Sequence, residues 1–135
     1  MLGGMPLPFP ALKPCPCGSG RSYGACCGPR HRGERPAETP EALMRSRYTA
    51  YALRDTEYVR RTWHPDTCPP DLSSEEDDTR YLGLKIHRAE GNEVEFSATL
   101  RVAGRGHRMH ERSTFVRLNG AWVYVEGVDP HDPRT

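Results

Sequence analysis

Long apolar runs are missing from this 135-residue chain, and so is a surplus of charge of either sign. No stretch approaches the roughly 20 apolar residues that span a bilayer, so a membrane-spanning helix is not expected. Nineteen Lys and Arg stand against eighteen Asp and Glu, a formal charge of +1, and this balance calls for neither nucleic acid nor an anionic membrane as partner. The opening Met-Leu-Gly-Gly-Met-Pro-Leu-Pro-Phe-Pro lacks a basic stretch and is broken by prolines, unlike the apolar segment of a secretory signal. A cytoplasmic protein is therefore expected. In that reducing compartment five cysteines do not make a disulfide framework. The length suits one domain with its own core and a short appendage.

Four of the five cysteines crowd into Cys15-Pro16-Cys17-Gly18-Ser19-Gly20-Arg21-Ser22-Tyr23-Gly24-Ala25-Cys26-Cys27. Two thiols one residue apart, eight intervening residues and an adjacent pair offer four soft ligands. Zinc takes such ligands tetrahedrally at about 2.3 Å, and a site with no open position is structural. Gly18 and Gly20 let the chain turn back so that the second pair meets the first. One structural Zn2+ per chain is expected at Cys15, Cys17, Cys26 and Cys27. A patch this small has almost no core, so the metal supplies its folding energy. Residues 1–39, rich in Pro, Gly and Arg, then read as a knuckle with loose flanks outside the main core. Lys13, Arg21, Arg30, Arg32 and Arg35 against Glu34 make it basic, and the −2 charge of a zinc tetrathiolate reduces this to weakly basic. Such a segment suits a protein or ribosomal partner, and it has no helix or basic ladder to read a nucleic-acid sequence.

The body, 40–135, opens with helix signals. Thr39 is placed to cap, Pro40 fits the first helical position, and Leu43, Arg47 and Tyr51 beside Met44, Tyr48 and Ala52 make a broad face over Pro40 to about Leu53. Asp55 caps a second helix reaching about Trp63, where His64-Pro65 stops it. A loop from Cys68 to Asp78 follows, with capping-box spacing at Ser73 and Glu76 predicting a single helical turn. Beyond Arg80 the period becomes two, predicting four antiparallel strands. In the first hairpin a two-residue Gly91-Asn92 loop sets the apolar rows on opposite faces. A three-residue Glu90-Gly91-Asn92 loop instead pairs Ile86 with Phe96, Leu84 with Ala98 and Leu82 with Leu100. Asn119-Gly120 predicts the last turn, with Leu118 opposite Ala121, Val116 opposite Val123 and Phe115 opposite Tyr124. That hairpin has two apolar faces, and the face turned from the helices is left for a second copy of the chain, for the knuckle, or for solvent.

The cysteine segment resembles the SEC-C motif, the zinc-binding tail of the SecA translocation motor, with Cys27 where that tail has histidine. Joined to Glu41-Ala42-Leu43-Met44-Arg45-Ser46-Arg47-Tyr48, Thr62-Trp63-His64-Pro65, His110-Glu111-Arg112-Ser113 and Trp122-Val123-Tyr124-Val125, it resembles the YchJ family of bacterial proteins along nearly the whole chain. The resemblance implies an α+β fold in which a helical hairpin packs on a curved four-stranded antiparallel sheet, the nuclear transport factor 2-like cone, behind an N-terminal zinc knuckle. It also implies docking of the knuckle on a protein or ribosomal partner, as for the SecA tail. Tyr48, Trp63, His110 and Arg112 are the candidates for lining a pocket in the cone. His110 and Arg112 share one strand face, where the pair would hold a small anion. Cys68 lacks an assured base and is not taken as a nucleophile. The preferred reading is a zinc-binding adaptor whose sheet face offers a surface for a homodimer. The alternative is a small-molecule binder or enzyme using the pocket.

Overall fold

The computed structural model describes residues 9–72 and 79–131, so the turn predicted at Ser73 and Glu76 lies outside the described residues. A 3-10 turn, Tyr23–Ala25, leads into the short helix α1, Cys27–His31. The Thr39 hydroxyl accepts the Ala42 N–H at 3.1 Å and Pro40 takes the first position of α2, Pro40–Ala52. Asp55 caps α3, Thr56–Arg61, by accepting the Tyr58 N–H at 3.1 Å. That helix ends sooner than its sequence suggested. Trp63 leaves it to form a parallel bridge with Tyr124, and the Tyr124 N–H and C=O bond Thr62 O and His64 N, each at 2.8 Å.

Four strands, β1 (Thr79–Glu90), β2 (Glu93–Val102), β3 (Arg105–Leu118) and β4 (Ala121–Val128), form one antiparallel sheet in the order β1-β2-β3-β4. Ile86 faces Phe96 and Leu84 faces Ala98 as expected, but by another route. The turn is the two-residue Gly91-Asn92 loop, with Glu90 opposite Glu93, and a bulge at His87 restores the register. The irregularity at Leu82 then places Tyr81, not Leu82, opposite Leu100, and Leu82 stands 52% exposed. A bulge absorbs one residue and bends its strand, so a register argument built on loop length alone picked the wrong turn. In the last hairpin Leu118–Ala121, Val116–Val123 and Phe115–Tyr124 pair as predicted, with a third irregularity just beyond.

Strand alternation sends Val94, Phe96, Ala98 and Phe115, all buried, to the concave face against α2. Trp122 and Tyr124 share that face, which settles which side of the last hairpin turns inward. The four thiols Cys15, Cys17, Cys26 and Cys27 belong to this same core cluster, together with Leu43, Met44 and Tyr48. The knuckle is therefore part of the core, not an arm outside it. Its docking explains why α2 is buried on its polar side too. Ser46 and Thr49 are fully buried, with His31 Nε2 2.9 Å from the Ser46 carbonyl and Thr49 Oγ1 3.8 Å from Cys15 Sγ. Arg61 adds bonds to the Arg30 and His31 carbonyls at 3.3 and 3.0 Å.

Candidate functional site

Backbone bonds shape the metal centre before any metal enters. Cys15 N donates to Arg21 O at 2.9 Å and Pro14 bridges Ser22, which folds the first thiol pair back toward the second. Gly18, at φ +78°, turns between them. Cys26 and Cys27 arrive from the other side at the start of α1. All four Sγ atoms lie within 4.8 Å of one another, with Cys17–Cys26 at 3.6 Å and Cys26–Cys27 at 4.0 Å. A tetrahedral zinc with bonds of about 2.3 Å needs sulfurs roughly 3.8 Å apart, so the spacing and the donor set fit. Exposures of 4, 0, 4 and 0% leave no open coordination position.

As free thiols Cys15, Cys17 and Cys27 share protons unequally. Hydrogen bonds from Cys15 and Cys27 drive Cys17 strongly down, while Cys15 is pushed up to about 11 and Cys27 strongly up by acting as their donors. A divalent cation lets all four ionise. The resulting negative charge meets Ser19 Oγ, 3.1 Å from Cys26 Sγ, and two guanidiniums on the ligand backbone. Arg45 Nη1 donates to Cys17 O at 2.7 Å, and Arg30 Nη1 donates to Cys26 O at 2.9 Å.

The knuckle's positive charge is smaller than the sequence count made it. Glu38, left out of that count, pairs with Arg30 at 2.9 Å and Arg35 at 3.0 Å, and Arg30 pulls its carboxyl down to about 2. Arg32 pairs with Glu34 at 2.7 Å. Among the described residues of the knuckle, Lys13 and Arg21 keep exposed charges without an ion pair.

Beside the centre, α2 and the concave sheet enclose a cavity of about 280 Å³. Tyr48, Tyr81, Phe96 and Met109 form its walls, and Arg47, Glu111, Ser113 and Tyr124 supply its polar groups. Arg47 is 3% exposed, yet no carboxylate of the described residues lies within 4.0 Å of it. Its Nη1 donates to Val59 O at 2.9 Å and Thr62 Oγ1 at 2.8 Å, and its guanidinium stands 4.4 Å from the Tyr124 ring centre and 4.9 Å from that of Trp63. Burial depresses its pKa. Glu111 accepts from Ser113 Oγ at 3.2 Å, and burial raises its pKa. Gly127 leaves room for it, since a Cβ there would come within 1.8 Å of Glu111 Oε2.

Of the four pocket candidates only Tyr48 lines this cavity. Trp63 lies behind Arg47 and edge-on to Tyr124, their ring centres 5.0 Å apart. His110 and Arg112 are on the opposite, convex face of the sheet, which overturns their placement at the pocket wall. His110 Nε2 meets Glu95 Oε2 at 2.6 Å and its ring packs between His87 and His131, while Arg112 borders a surface hollow with Arg88, Glu93 and Glu95. Glu111 and Arg47 take their place. Alternation carried the signal for Glu111, because it lies four residues before inward Phe115 and hence on the same face. Arg47 was legible as a lone cation on an apolar helical stripe. Among the described residues Cys68 Sγ bonds the Pro69 carbonyl at 3.5 Å, and the Nδ1 of His64 accepts the Asp66 N–H at 3.0 Å, so His64 is not turned to the thiol as a base.

Residues 39–127 match the family described as "YchJ, middle NTF2-like domain", and residues 13–29 match the SEC-C motif. A UPF0225 protein of Deinococcus radiodurans is 62% identical over 90% of this chain and 93% of its own length. One from Streptomyces coelicolor is 46% identical over 91% and 97%. Among solved structures, a SEC-C motif containing protein from Rhodopseudomonas palustris superposes with a TM-score of 0.75 at 40% identity, covering 84% of this chain and 96% of the other. A second, from Psychrobacter arcticus, gives a TM-score of 0.69 at 26% identity over 93% and 84%. A cysteine cluster of metal-binding geometry built into the core of a helix-and-sheet cone, matched in sequence along both parts, makes this chain a member of the YchJ family, with an N-terminal SEC-C motif and an NTF2-like domain.

Proposed function

We propose that the protein is a cytoplasmic adaptor in which Cys15, Cys17, Cys26 and Cys27 hold one structural zinc ion and the knuckle so shaped docks on a protein surface, ribosomal or other. The ion's contribution is to bind four thiolates at once and hold the ribbon around them. The observation that carries the docking reading is Leu12. It is 91% exposed, on a loop whose backbone is tied down on both sides by Tyr23 N to Lys13 O and Gly24 N to Ala11 O, each at 2.8 Å. A single exposed leucine is ordinary on a protein surface. One held rigidly next to the unpaired cation Lys13, on a ribbon that also carries unpaired Arg21, is pre-organised to enter an apolar groove with an acidic rim.

Size-exclusion chromatography of extract from the native host tests this. The wild-type chain is expected in a larger complex at low salt and at its own mass at high salt, because ionic steering is screened over about 10 Å at 0.1 M. Leu12→Ser and Lys13→Glu are expected to release it at low salt while keeping zinc content unchanged. A wild-type chain that elutes alone at every salt concentration rules the adaptor reading out.

A further inference from the structure

We infer that the cavity between α2 and the concave sheet is a binding site for a small carboxylic acid with a flat apolar body, its carboxylate set against Arg47 and its body against Tyr48, Tyr81 and Phe96. The inference is independent of the adaptor reading. It starts from charge: a buried cation is costly unless an anion meets it. Arg47 is 3% exposed and borders the cavity, its Nη1 is engaged by neutral oxygens, and no carboxylate of the described residues is within 4.0 Å. The acid in the same cavity, Glu111, sits where desolvation favours its protonated form. Arg47 supplies the positive charge that one incoming carboxylate would meet.

The walls define the rest of the ligand. Tyr48 and Tyr81 meet edge to face with ring centres 5.7 Å apart, and Phe96 and Met109 complete an apolar slot. The volume, about 280 Å³, lies just below the roughly 300–1,000 Å³ of common ligand pockets, which limits the ligand to one ring or a short chain. Met109, 37% exposed, stands at the mouth. An amine is disfavoured, because it would bring a second cation beside Arg47.

The test uses the full metal-loaded chain and three isosteric probes, phenylacetate, phenylacetamide and phenethylamine, followed by NMR titration of the tyrosine ring signals. Phenylacetate is expected to bind and to shift Tyr48 and Tyr81. The amide, lacking the charge, is expected to bind roughly tenfold or more weakly. Arg47→Gln risks misfolding because Nη1 ties α2 to Val59, so two other variants carry the test. Glu111→Gln removes the neighbouring carboxyl, leaves Arg47 in place, and is expected to retain phenylacetate binding. Met109→Trp closes the mouth and is expected to abolish binding with an unchanged thermal melt. Equal binding of acid and amide, preference for the amine, binding that survives Met109→Trp, or no shift by about 10 mM phenylacetate overturns the inference.

Discussion

His31 shows how one side chain ties the cysteine-bearing ribbon to α2. The Ser46 carbonyl can only accept, so His31 Nε2 donates to it at 2.9 Å, and Nδ1 accepts from the Tyr23 hydroxyl at 2.8 Å. That assignment is the neutral ring, and burial lowers its pKa below the ordinary 6.5. The unfolded chain therefore takes up the proton first. The stabilising contribution is complete above about pH 6.5 and is lost as pH falls toward the depressed folded value. Thermal melts from pH 7.5 to 5.5 are expected to show a shallower acid loss in His31→Gln, which keeps one donor and one acceptor but does not titrate. Gly127 supplies a second test at this scale. Gly127→Ala drives a methyl into Glu111, and a loss of about 1–3 kcal/mol is expected in denaturant titration. The same substitution in Glu111→Ala is expected to cost much less, because the clash has gone. Gly127 was visible in the sequence only as a glycine inside a strand, a pattern that marks close approach without naming what approaches.

The elements were legible where one local rule decided them. Thr39 with Pro40, and Asp55 before α3, start helices in the structure as their side chains dictate. The Asn119-Gly120 turn gives the register its chemistry demands. Thr39→Ala is expected to cost about 1 kcal/mol of stability by equilibrium unfolding. Legibility failed where two elements negotiate. The extra residue at His87 trades a ladder bond for a bend, and nothing in the pattern of apolar residues marks it. The burial of Ser46 and Thr49 is not marked by the apolar pattern of α2, because the ribbon that covers them brings carbonyls and thiols, not apolar groups. The polar lining of the cavity escaped for a related reason. His110 and Arg112 looked functional by residue type, yet one step along β3 separates them from Glu111, which alternation puts inside.

At the scale of the whole molecule, the cysteine cluster and the core are one packed unit. The thiols share a cluster with Leu43, Phe96 and Phe115, so withdrawing the ion should loosen the body as well as the ribbon. Native mass spectrometry is expected to find one zinc per chain. Chelation or Cys17→Ser is expected to lower the melting temperature of the whole molecule in a single transition; a body that melts unchanged after chelation would refute this coupling.

The bridge from Trp63 to Tyr124 has its effect at this scale too. By lying along the outer border of β4, that short stretch takes up the Tyr124 N–H and C=O that another chain would use at the middle of that edge, while β1, the remaining border, is bent by its irregularities and carries Lys85 and Arg88. Endless strand-by-strand stacking requires two matching borders on every copy. Among the described residues the β4 border is interrupted at its middle, so strand-by-strand growth through this sheet is hindered on that side.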